Sequence, residues 1–196
     1  DYFDAVRLII DKGGWVIRVG DPKMSRLPPM PNVVDYPHSE VWSDWMDIFV
    51  SANCRFLLSA GSGALLMATV FGRPVAAANY TPIGIAPVSK HDLFIPKLYW
   101  SDDYERYLSF REAFSSGARD GYRDRVFEDN AIRLVDSTPE QITALTREML
   151  DRFDGSVEYT AEDNRRQAAY KERWSEVPTR LTMGTHGGVG RDFLRE

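Results

Sequence analysis

Ser59-Ala60-Gly61-Ser62-Gly63-Ala64 gathers small, flexible and hydroxyl-bearing residues into one short knot. A short apolar run beginning at Arg55 stops at it, and an apolar run with helical spacing leaves it. Three chemistries compete. The knot is a phosphate cradle if Gly61 and Gly63 bring the backbone close to an anion and the amides of Ser62, Gly63 and Ala64 point at it from a helix start. It is a nucleophile elbow if Ser62, set between small residues on a strand-to-helix turn, attacks a carbonyl. It is only a turn if Ser62 caps the helix and the glycines bend the chain.

Other residues weigh on the choice. A dinucleotide fingerprint needs a third glycine or alanine where Leu66 stands, and an acidic residue closing the next strand, which ends instead in Asn79-Tyr80. NAD binding is therefore not indicated. A hydrolase would take Asp136 and His186, which follow Ser62 in the order serine, acid, histidine, although His186 lies in a glycine-rich tail. The chain has no Cys-x-x-Cys, His-x-x-x-His or Asp-x-Asp, so neither a zinc site nor the usual metal–nucleotide pair is indicated. Arg18 sits inside the apolar run "WVIRV", and a buried guanidinium needs a partner. Asp21 or Asp35 would serve, and so would a phosphate held in two-pronged fashion. Lys23 and Lys97 would add charge. His38 and His91 read as loop histidines that either meet solvent or face a ligand. Trp15, Trp42, Trp45 and Trp100 read as packing residues.

These side chains need elements to position them. Val6, Ile9 and Ile10 give helical spacing over residues 2–12, stopped by Gly13-Gly14. "WVIRV" reads as a strand ending at Gly20-Asp21-Pro22, and the proline-rich "PKMSRLPPMPN" as loop. "VVDY" is a short strand. "SDWMDIFVSA" carries Trp45, Ile48, Phe49 and Ala52 on one helix face. "RFLLS" is a strand, "GALLMATVF" a helix and "PVAAANY" a strand. Strand and helix alternate at short spacing, which argues for an α/β fold: a Rossmann-like, doubly wound parallel sheet. Its ligands would bind where strands end, at Arg18–Asp21, Ser59–Ala64 and Asn79–Thr81.

Beyond Pro82 the pattern loosens into loop, with a strand expected at 94–99. Ser109 and Glu112 have capping-box spacing at the head of a helix, and "IRLVDS" reads as a strand. Thr138, Pro139 and Gln141 open a helix whose buried stripe is Ile142, Leu145, Met149 and Phe153. Residues 160–176 form a charged helix, and the tail "MGTHGGVGRDFLRE" reads as partly mobile. The division expected is a sheet domain over 1–155, with additional C-terminal helix and tail over 156–196.

Composition narrows the class. With 196 residues, 24 Lys and Arg against 29 Asp and Glu, the chain can bury a core and carries no basic stripe for nucleic acid. Cys54 is the sole cysteine, so no internal disulfide forms and a reducing, cytoplasmic compartment is expected. No run reaches the roughly 20 apolar residues of a membrane span. The first residue, Asp1, falls on a helical pattern, as a fragment's would.

The strings "GGWVIRVGDPKM", "LPPMPNVVDYPHSEVWSDWMDIFVSANCRFLLSAGSGALLMATVFGRPVAAANYTPIG", "DLFIPKLYW" and "YLSFREAFSSG" resemble a family of bacterial glycosyltransferases. Its members are found with surface-polysaccharide genes and are similar to the donor-binding, C-terminal half of two-domain (GT-B) enzymes. The resemblance covers most of residues 2–155 and extends more weakly to "GRDFL". It implies a nucleotide-diphosphate sugar as donor, a glycan or lipid-linked glycan as acceptor, and no bound metal or other cofactor. Ser59, Gly61, Ser62, Gly63 and Ala64 would hold the diphosphate. Arg18, Gly20 and Asp21 would lie near phosphate or sugar; Asn79, Thr81 and Pro82 would border the sugar, and Tyr36 and His38 the base.

Two departures matter. The family usually has Gly-Thr-Ser-Ser-Gly at the knot, and the Ser-Ala-Gly-Ser-Gly found here has lost one hydroxyl. The family also carries an earlier strand and an N-terminal domain that supplies acceptor contacts and the catalytic base; the expectation is that both are missing here. Location at the inner membrane face is compatible with this role. Alternatives on the residues alone are a nucleotide-sugar epimerase, a serine hydrolase using Ser62, and a non-catalytic sugar-nucleotide-binding module.

Overall fold

The computed structural model describes residues 1–175 and 186–196. At its centre is a parallel sheet of four strands in the order β3 (Leu57–Ser59), β4 (Val75–Tyr80), β5 (Leu93–Pro96) and β9 (Gly188–Val189). The fold is α/β, and helices cover both sheet faces. Val75, Ala77 and Phe94 pack with Leu65, Phe114 and Tyr170, beneath α3 (Gly63–Val70), α4 (Phe110–Ser115) and α7 (Ala161–Ser175). Ala76, Ala78, Leu93 and Ile95 face the other way, toward Ala5 of α1 (Phe3–Asp11) and Ile142, Leu145 and Met149 of α6 (Pro139–Asp154). Strands covered on both sides read as continuous apolar runs, which is why "PVAAANY" shows no alternation.

Helix starts follow local chemistry. Thr138 accepts the Gln141 amide while the Gln141 side chain accepts the Thr138 amide, and Pro139 occupies the first turn. Gly155 ends α6 in the left-handed conformation, at φ 68°. Ser109 and Glu112 make the same reciprocal box at α4. The expected stripe of α6 is buried at Ile142, Leu145 and Met149, with Phe153 packed beside it.

The α/β fold with a helix-covered parallel sheet is the one expected, but not every expected strand joins that sheet. β1 (Val16–Arg18) and β2 (Val33–Asp35) make a separate parallel pair, and among the described residues neither β1 nor β3 has a ladder partner on its other edge. The strand expected at 94–99 is two. Pro96 ends β5, Lys97 donates its amide to the Tyr80 carbonyl at 3.1 Å, and the chain turns away as β6 (Leu98–Ser101). A second, antiparallel sheet follows, in the order β7 (Arg106–Tyr107), β6, β8 (Ile132–Val135), so "IRLVDS" extends no parallel sheet. The short α5 (Asp124–Glu128) precedes β8.

The tail is a second correction. Residues 183–185 lie outside the described residues, as does Glu176 of the expected charged helix. Beyond them β9 closes the parallel sheet against β5, and the Gln167 side chain bonds both the amide and the carbonyl of Val189. Arg191 donates its amide to Glu148 at 2.6 Å, and Arg195 grips Asp163 through two 2.7 Å contacts. Shortness hid this: one valine set between glycines is too brief a signal to read as a strand, and Gly188-Val189 owes its place to pairing and side-chain clamps.

The tryptophans are a third. Trp15, Trp42 and Trp45 are 68%, 39% and 75% exposed, and Phe49 and Ile48 on the same helix, α2 (Asp44–Asn53), are exposed too. Packing describes Trp100, which meets Tyr107 edge-on at 5.1 Å and carries Arg133 over its face. The apolar stripe of α2 thus forms the predicted helix with Trp45, Ile48 and Phe49 left exposed by the other described residues.

Candidate functional site

The residues singled out by sequence fall into two clusters, one around Arg18 and one at the C-terminal edge of the parallel sheet. The first surrounds Arg18. Parallel register sets Arg18 beside Asp35, and its Nε lies 2.8 Å from Asp35 Oδ1. Arg18 also donates to the Ser25 carbonyl at 2.8 Å. His38 Nδ1 stands 2.8 Å from Asp35 Oδ2 and its Nε2 3.1 Å from the Pro22 carbonyl. The Leu27 amide completes the set at 3.0 Å. Burial alone would raise the Asp35 pKa, but the Leu27 amide, His38 and Arg18 outweigh it and hold the carboxyl below its usual range. The cluster therefore pins the proline-rich loop to β1 and β2. Of the partners open to Arg18, the structure takes Asp35.

Neighbouring expectations follow suit. Asp21 accepts the Lys23 amide at 2.7 Å and shapes a turn, after Gly20 in the positive-φ region. Tyr36 is 2% exposed; its hydroxyl donates to the Ser43 carbonyl and accepts the Ser43 amide, both at 2.9 Å. Tyr36 staples a 3-10 turn (Tyr36–His38) to the start of α2 and offers no surface to a base. Arg18, Tyr36 and His38 are thus each held by partners within the fold.

The second cluster lies at the C-terminal edge of the parallel sheet. Ser59, Tyr80 and Pro96 each end a strand there. The loop after β3 is exposed from Ala60 to Gly63 and stacks on the end of β4: a Cβ on Gly61 would meet the Thr81 amide at 3.3 Å and its carbonyl at 3.4 Å. Ser62 takes the N-cap position of α3, yet its hydroxyl accepts no amide and lies 3.5 Å from Ser59 Oγ. The capping explanation thus fails, and the first-turn amides of α3, Gly63 and Ala64 among them, take nothing from the Ser62 hydroxyl. Ser59 Oγ donates to the Ala60 carbonyl at 2.7 Å, which fixes the knot's shape.

Behind the knot, Asn79 adopts φ 54°, a conformation asparagine tolerates, and its Oδ1 accepts the Ser137 amide at 2.5 Å. Lys97 pairs with Asp136 at 2.7 Å. Two hydroxyls at this edge, of Thr81 and Ser137, are buried without a hydrogen-bond partner. Burial, with smaller contributions from Tyr122 and Asp92, pushes the Tyr80 phenol up to about 12, so it stays neutral. Lys97 and Ser137 are what sequence reasoning underrated. The signal available was a lysine directly following an apolar strand, and a serine beside the acid that ends another.

The hydrolase geometry does not form. His186 donates its amide to the Pro87 carbonyl at 3.2 Å, and nearby Gly188 pairs with Leu93, the first residue of β5. All strand starts of a parallel sheet lie on one edge. His186 is therefore on the edge opposite Ser62, and Asp136 is engaged by Lys97.

Among the described residues no cluster of His, Cys, Asp and Glu is placed to hold a metal, and no helix is long and apolar enough to cross a membrane. No protein-family model, curated protein or solved structure matches the chain. The glycosyltransferase resemblance thus rests on the order and spacing of its motifs.

Proposed function

We propose that this chain is the donor-binding unit of a glycosyltransferase, and that a nucleoside diphosphate linked to a sugar rests on the Ser59–Ala64 knot. One observation carries the reading: an exposed glycine knot at the C-terminal sheet edge, opening a helix whose first amides the Ser62 hydroxyl leaves uncapped. Backbone amides and the helix dipole favour a diphosphate there and would stabilise it as it departs. Lys97 supplies the nearby cation. The acceptor site and catalytic base belong, on this reading, to an N-terminal half, and donor binding is the activity to test in this chain.

Thermal unfolding in the presence of UDP, GDP and CDP, and of sugar derivatives of each, gives that test. One nucleoside diphosphate should raise the melting temperature by mass action. Gly61→Val, which wedges a side chain against Thr81, should abolish the rise. No shift with any nucleotide would overturn the reading, and conversion of a sugar nucleotide without acceptor would make the protein an epimerase instead.

A further inference from the structure

Helix α2 is built inside out. Trp45, Ile48 and Phe49 recur at helical spacing on its exposed side, while Ser51 is buried. A helix that only has to cover its own domain turns the apolar stripe inward. Beside α2 lies α3, and Arg73, just past the end of α3, donates its Nε to the Ala52 carbonyl of α2 at 2.6 Å. Leu66 and Val70, one turn apart on α3, are exposed as well, and so is Phe71 after them.

The area of this face sets its use. The six apolar residues are between 37% and 79% exposed. At about 150–250 Å² for a large side chain fully bare, they leave about 500–900 Å² open. A monomer's largest apolar patch is about 300–600 Å². One side of a stable interface buries about 800 Å².

Charge selects the occupant. Asp44 and Asp47 stand in the first turn of α2, and Arg55 lies just beyond its end with its side chain 60% exposed. The acid and the base thus flank the apolar stripe at opposite ends. A second copy laid antiparallel across α2, about a twofold axis, sets Asp44 of each chain beside Arg55 of the other and the apolar residues against their own equivalents. The two helix dipoles oppose each other favourably in the same arrangement. An anionic membrane would instead meet Asp44 and Asp47, on a chain of net charge −5. We infer that the α2–α3 face is the contact between two copies of this chain, paired antiparallel about a twofold axis. The pairing holds whatever the Ser59–Ala64 knot binds.

Sedimentation equilibrium of the 196-residue chain, from micromolar to submillimolar concentration, tests the pairing. It should give the mass of two chains at the upper end. Trp45→Asp should weaken association by about a hundredfold or more, as loss of a central aromatic anchor does. Its melting temperature should stay that of the dissociated native chain, because the ring is exposed within one copy. Asp44→Lys and Arg55→Glu should each weaken association by about tenfold, since each turns two attractive contacts into repulsive ones. Mixing these two variants should restore it, because both contacts of the mixed pair then join opposite charges. Arg55 also pairs with Asp154 of its own chain, so an unfolding curve of Arg55→Glu confirms that the variant folds. A single-chain mass at every concentration overturns the inference, as does a dimer indifferent to Trp45→Asp. Failure of the mixture to recover overturns the antiparallel pairing. Cosedimentation with phosphatidylcholine–phosphatidylglycerol vesicles, lost in Trp45→Asp and shown by a chain that never dimerises, would give the face to a membrane instead.

Discussion

Arg18 and Lys97 are both cations at strand ends, and their surroundings differ in kind. Arg18 pairs with Asp35 and also meets Ser25 and His38, three partners built into the fold. Its side chain is 18% exposed and that of Asp35 is 21% exposed. Among the described residues the Lys97 side chain pairs with a mostly exposed Asp136, at the sheet edge that also carries the open Ser59–Ala64 loop and the unmatched Thr81 and Ser137 hydroxyls. A cation whose partners are built into the fold holds the fold together. One whose partner is solvated and replaceable is available to a ligand. Residue type and position along a strand do not distinguish the two cases; the burial of the partner does, with Asp35 21% and Asp136 67% exposed.

The largest effect should come from breaking the closed cluster. Asp35→Ala leaves Arg18 poorly matched at a mostly buried place, and should cost about 2–3 kcal/mol in denaturant unfolding. Arg18→Met should also destabilise, yet change pyrophosphate affinity less than twofold; a tenfold loss in calorimetry would return Arg18 to the site. The sign of the pH dependence follows from the lowered Asp35 pKa. Its stabilisation is present above the unfolded carboxyl value, about 4, and is lost as pH falls through the lower folded value. The gap in melting temperature between the native chain and Asp35→Asn should therefore persist at neutral pH and close in strong acid.

Next comes Gly61→Val, where overpacking against Thr81 should cost about 1–3 kcal/mol and remove pyrophosphate binding together. Asp136→Asn should act in the opposite sense on the open cluster. It releases Lys97, and pyrophosphate should bind about two- to fivefold more tightly, in line with an exposed ion pair worth up to ~1 kcal/mol. Weaker binding would mean that Asp136 positions Lys97 instead of competing for it. Smallest is Ser62→Ala: about 1 kcal/mol of affinity at most, and no measurable change in unfolding, because that hydroxyl caps no helix amide.

Much of the scaffold was legible because local rules announce it. Thr138, Pro139 and Gln141 spell out a helix start, and the apolar runs around Leu57 and Val75 spell out covered strands. What stayed hidden depends on pairing between distant segments. Nothing local says that Leu98 leaves the direction of Phe94, that β8 returns antiparallel to β6, or that Gly188-Val189 is a strand. The knot was legible from its glycines, and its uncapped serine was not. Arg18 had its true partner among the candidates, but only the register of β1 on β2 sets Asp35 beside it.

The strand Gly188–Val189 also sets a schedule. It pairs with β5, whose residues leave the ribosome long before it. Until it arrives, Phe94 and its neighbours present an open, apolar sheet edge, the surface that most readily captures another chain. Synthesis therefore passes through an interval in which β3, β4 and β5 can pair while the outer edge of β5 stays bare. Slow elongation between β5 and β9, or loss of Gly188 and Val189, should show first as aggregation of nascent chains and only afterwards as lost binding.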